Sequence, residues 1–101
     1  MEISKWLNLS KTQQIGNIGS EIARAAYWES KNDKTNRNHS LERSLELLDL
    51  TLNDQRWKAG LKEIARFREV VGAKYCNNNF FSITLKELEE FCVNFVINYG
   101  R

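Results

Sequence analysis

The sequence predicts an all-α protein, an antiparallel helical bundle of about four helices. Three observations predict it. Apolar residues recur at three- and four-residue intervals in four separate stretches. The 101 residues include no proline, which favours long helices joined by short loops. Ser10 stands where an N-cap is needed, and the Thr84–Glu87 segment TLKE has the form of a capping box. With 42% hydrophobic and 11% aromatic residues, the chain has material for one core, so a single domain over residues 1–101 is expected.

The first helix is predicted over residues 10–30. Ile15, Ile18, Ile22 and Ala25 or Ala26 form its apolar row. Gly16, Gly19, Ser20 and Ala23 lie beside that row and let another backbone come close. Each glycine costs a helix about 1 kcal/mol relative to alanine, so close packing or a kink is expected to compensate. The run GNIGSE lacks the lysine and the preceding strand of a phosphate loop.

Residues 31–39, KNDKTNRNH, are predicted as a polar loop or a frayed start of the next helix. The second helix is predicted over 40–52. Leu41, Leu45, Leu48 and Leu52 share one face, while Leu47 and Leu50 lie on another, the pattern of a central helix or a dimer contact. Residues 53–55 form a tight turn. The third helix follows over 56–74, with Trp57, Leu61, Ile64, Val71 and Tyr75 facing the core. Residues 76–82, CNNNFFS, break the pattern. The fourth helix starts behind Thr84 and carries Leu85, Leu88, Phe91, Cys92, Phe95, Val96 and Tyr99, widened by Val93 and Ile97 and ended by Gly100. The segment FCVNFVI is also rich in β-formers, but the capping box and the helical spacing favour helix.

Function is less legible. The net charge of +2 implies no partner by its sign. Glu42, Glu46 and Asp49 share one face, as do Lys58, Lys62 and Arg66. A three-residue turn sets Asp49 level with Lys58, Glu46 with Lys62 and Glu42 with Arg66, so the rows are expected to pair within the hairpin. Alternatively, Lys58, Lys62 and Arg66 contact phosphates, or the rows bridge a dimer. Arg68 falls in the core stripe and needs a carboxylate if buried; Glu21 and Asp49 are the expected partners. Gln14, Asn17, Glu21, Arg24 and Trp28 share a polar face, and a tryptophan there marks a candidate partner surface.

His39 is the sole histidine, with no converging carboxylate or thiol, so no catalytic set is expected. No metal-ligand spacing and no cofactor motif stand out. Cys76 and Cys92 are read as buried free thiols. The N-terminus lacks the apolar core of a signal peptide, and no stretch is long enough to span a membrane, so a cytoplasmic protein is expected.

Residues 13–26 (QQIGNIGSEIARAA), 40–51 (SLERSLELLDLT) and 56–70 (RWKAGLKEIARFREV) resemble a group of short prokaryotic proteins without an assigned activity. That resemblance implies a prokaryotic source and a helical bundle. The architecture also resembles the HEPN helical domains of toxin and defence systems. Their ribonucleases carry an arginine followed after four to six residues by a histidine, whereas Arg37 and His39 here are separated by one residue. The resemblance therefore implies a non-catalytic relative or a partner subunit. The expectation is a non-enzymatic protein-interaction module that self-associates as a homodimer; an RNA- or DNA-binding module is the alternative.

Overall fold

A computed structural model describes residues 2–77 and 82–99, Tyr99 by its backbone alone. The fold is all-α. Four long helices, α2 (Lys11–Ser30), α3 (Lys34–Leu52), α4 (Leu61–Tyr75) and α5 (Leu85–Tyr99), are preceded by the short α1 (Ile3–Asn8). The sequence pattern did not predict α1. A six-residue helix has little stability of its own. It is held by tertiary contacts: Trp6 is fully buried, and its indole N–H donates to Thr51 Oγ1 at 3.0 Å.

Helix α2 begins as expected. Ser10 accepts from the Gln13 N–H, and Gln13 Oε1 accepts in return from the Ser10 N–H. Ile15, Ile18, Ile22 and Ala25 are buried. After Asn32 turns the chain at φ 58°, α3 starts at Lys34, behind Asp33, whose carboxylate accepts from Asn36 N–H at 3.0 Å. Residues 34–39 are therefore helix, not loop, and Asp33 is the cap that starts it. Leu41 and Leu48 are fully buried, while Leu45, Leu47, Leu50 and Leu52 are half-buried against the core. Helix α3 is covered from two sides because it packs along both α2 and α4.

The hairpin between α3 and α4 departs from expectation. Residues 55–60 form a 3-10 helix, started by Asp54, and α4 begins only at Leu61. A 3-10 helix has three residues per turn rather than 3.6, so it rotates every later residue around the axis. Leu61, expected inside, is 42% exposed; Phe67 and Val70 turn inward beside Ile64 and Val71. The longer connection also moves the antiparallel register, so Asp49 meets Arg68 rather than Lys58.

Helix α5 starts with the predicted capping box of Thr84 and Glu87 and is helical through the segment rich in β-formers. Leu85, Leu88, Cys92 and Phe95 are buried. Cys92 stands beside Gly19, where a Cβ would lie 3.4 Å from its own; here the glycine does allow two helices to approach closely. Helices α4 and α5 meet through side chains, with Phe67 stacked on Phe91 at 5.1 Å. The side chain of Tyr99, Gly100 and most of the predicted break over 76–82 lie outside the described residues. No described helix is long and apolar enough to cross a membrane.

Candidate functional site

One end of the bundle is closed by a buried polar network. Gln14 is fully buried. Its Oε1 accepts from the Trp57 indole N–H at 2.6 Å, and its Nε2 donates to Trp6 O at 2.8 Å and to Asp54 Oδ2 at 2.9 Å. Asp54 also accepts from the Arg56 guanidinium and backbone N–H, and it is held at about 2, below the usual carboxylate range, first by Arg56 and then by Gln14, against the opposing cost of burial. Every buried side-chain polar atom of the described residues has a partner. This is structural cement, and it withdraws Gln14 from the expected partner surface.

The rest of that expected row divides. Asn17 is exposed and bonded to the Gln13 carbonyl. Glu21 is largely covered and pairs with both Arg24 and Arg43. Arg24 is exposed, and Trp28 is half-buried in edge contact with Tyr27. The row lies along the junction with α3, where Glu21 reaches Arg43 across the helix pair.

Arg68 pairs with Asp49 at 2.8 Å as expected, but at the surface: the two side chains are 39% and 55% exposed. Glu21 takes no part. The rotation imposed by the 3-10 helix moves Arg68 to the edge of the core and puts Phe67 inside. The matched charge rows do not meet either. Glu42 accepts from Tyr75 O–H, Asp49 from Arg68, and Lys58, Lys62 and Arg66 form no ion pair among the described residues. The bonded Glu42 carboxylate raises the Tyr75 pKa. His39 is exposed. Cys76 is exposed, contrary to the expected burial, because it ends α4; Cys92 is buried, and burial pushes its thiol up to about 12. No group of three metal-ligating side chains converges among the described residues.

Two of the concave surfaces among the described residues bear on function. Between α2 and α5 lies an apolar groove of about 250 Å³, lined by Gly16, Gly19, Ser20, Ala23, Val93 and Val96 among others. A Cβ placed on Gly16 would meet nothing within 4 Å. Along its rim α5 exposes Val93 at 60% and Ile97 at 59%. Where α2 and α4 end and α3 begins there is a polar pocket of about 340 Å³. Its inner wall is Arg37, whose side chain is 9% exposed and which sequence reasoning passed over as part of a loop. The available signal was Asp33 as an N-cap, which puts Arg37 in the first turn of a helix.

No protein family, curated protein or solved structure matches the chain.

Proposed function

We propose that this chain is a non-enzymatic helical-bundle module that works by binding protein, and that it associates with a second copy of itself through the α2–α5 face. The carrying observation is the groove. Gly16 stands within α2 at a cost of about 1 kcal/mol, yet nothing among the described residues occupies the space its missing side chain leaves. Beside that space stand Val93 and Ile97, exposed on α5. A ridge next to a groove on one face suits a two-fold interface, in which each copy gives the ridge and receives it. A prokaryotic, reducing cytoplasm is the proposed setting, and the free thiols Cys76 and Cys92 are compatible with it.

Sedimentation across a wide concentration range tests the association. A concentration-dependent dimer is expected, abolished by Val93→Asp, whose side chain is exposed and leaves the fold intact. A monomer at every concentration overturns it. Gly16→Ala separates the two roles of the glycine: it should stabilise the isolated fold by about 1 kcal/mol while weakening the dimer.

A second reading rests on Lys58, Lys62 and Arg66, which have no ion pair among the described residues. They would contact nucleic-acid phosphates, with affinity falling steeply as salt rises. Affinity unchanged by neutralising all three removes that reading.

A further inference from the structure

We infer that the polar pocket at the shared end of α2, α3 and α4 binds a phosphate group, free or carried as a monoester. The pocket is lined by Lys34, Arg37 and Lys74 against two carboxylates, Glu29 and Asp33. The charges are not equally available. Glu29 Oε2 accepts from Arg37 Nε at 3.0 Å. Asp33 is committed to starting α3: Oδ1 takes the Asn36 N–H at 3.0 Å and Oδ2 takes Asn36 Nδ2 at 2.8 Å. Neither Lys34 nor Lys74 has an ion pair among the described residues. The charge left unspent in the pocket is therefore positive.

Arg37 supplies the geometry. Besides Glu29, its guanidinium bonds Asn38 Oδ1 through Nη1 and the Lys74 carbonyl through Nη2, both at 3.0 Å. A guanidinium carries five N–H donors. Three bonds use one on each nitrogen and leave one N–H on each Nη, two charged donors for phosphate oxygens. Because the group is fixed at three points and largely removed from water, little side-chain freedom is lost on binding. The Lys74 carbonyl, which at a helix end would repel an anion, is covered by Arg37 itself. The first turn of α3 also opens here, and its N-terminal dipole favours negative charge.

The test is a titration of the whole chain followed by backbone amide NMR, with inorganic phosphate in one arm and glycerol 3-phosphate in the other, against chloride at matched ionic strength. Saturable shifts confined to residues 29–37 and 74–77 are expected. Lys34→Gln with Lys74→Gln should weaken binding about tenfold without changing the melting temperature, since neither ammonium holds the fold. Arg37→Lys, which keeps the charge and loses the fork, should weaken it further. The variant neutralised at Lys58, Lys62 and Arg66 should bind as the parent does. Tighter binding of glycerol 3-phosphate identifies a monoester as the ligand, and equal binding identifies the free anion. Shifts no larger than those with chloride, or binding lost in the Lys58, Lys62 and Arg66 variant instead, overturn the inference. None of this depends on self-association.

Discussion

The two ends of the bundle solve the same problem in different ways. Each holds an arginine–carboxylate pair next to a helix start: Asp54 with Arg56 at the start of the 3-10 helix, and Glu29 with Arg37 at the start of α3. At the first end the carboxylate is the buried member, its side chain 4% exposed, and the arginine reaches out to solvent; at the second the arginine is buried and the carboxylate is 54% exposed. The first cluster is sealed by two indoles, Trp6 and Trp57, that cover the apolar surface and also donate hydrogen bonds into the core. The second is roofed by nothing of comparable size among its lining residues and stays open as a pocket. A buried carboxylate satisfied by amide and guanidinium donors locks a fold. A buried guanidinium with donors to spare leaves room for a ligand.

The sharpest way to break this contrast is to unseal the closed end. Trp57→Ala should cost about 4 kcal/mol in chemical denaturation, from the lost bulk and cavity together. Part of that cost is Gln14 Oε1, left buried without its donor. The loss of Phe95's neighbour at 5.4 Å carries the damage into α5. A cost below about 1 kcal/mol would mean that the indole is not the seal.

Next in size is the acid response of Asp54. Its folded pKa is about 2 against an ordinary 3.8. The folded value is the lower one, so the stabilisation is fully present above pH 3.8 and is lost as pH falls from there through about 2. The shift corresponds to roughly 2 kcal/mol. Denaturation of the parent at stepped pH should show that loss over this window, and Asp54→Asn should flatten it while lowering stability at neutral pH. An unchanged acid profile in the variant would assign the acid response to other carboxylates.

The contrast between the ends also explains what could be read from the sequence. Helix starts at Ser10 and Thr84 were legible because a cap and its partner lie within four residues. Asp33 obeys the same local rule, but it sits inside an asparagine-rich run whose composition reads as loop. Of the sealed end only Trp57 was legible, as a core residue; its hydrogen-bond network was not. Gln14 looks like a surface residue on a helical wheel, and only the fold brings Trp6 and Asp54 to it. The charge rows failed for a related reason. Their pairing assumed an unbroken helix behind a three-residue turn, and the 3-10 segment over 55–60 changes both the rotation and the register of everything after it. The all-α class survived these errors because hydrophobic periodicity is a property of each helix alone, whereas Arg37 and its pocket exist only where three helix ends meet.

The smallest expected effect is the most discriminating between the two ends. Glu29→Gln removes the carboxylate of the open end, as Asp54→Asn removes that of the closed one. Glu29 is more than half exposed, and such a pair contributes at most about 1 kcal/mol. Arg37 keeps its bonds to Asn38 and to the Lys74 carbonyl, and an amide oxygen can still accept from Nε, so no donor of the buried guanidinium loses its acceptor. Stability should therefore fall by under about 1 kcal/mol, against roughly 2 kcal/mol for the matched change at Asp54. The same substitution removes one of the two negative charges lining the pocket, so it should raise phosphate affinity while stability declines slightly. Opposite signs in the two measurements are what a binding end predicts. If affinity and stability fall together by amounts like those at Asp54, Arg37 is a second clamp and the two ends are equivalent.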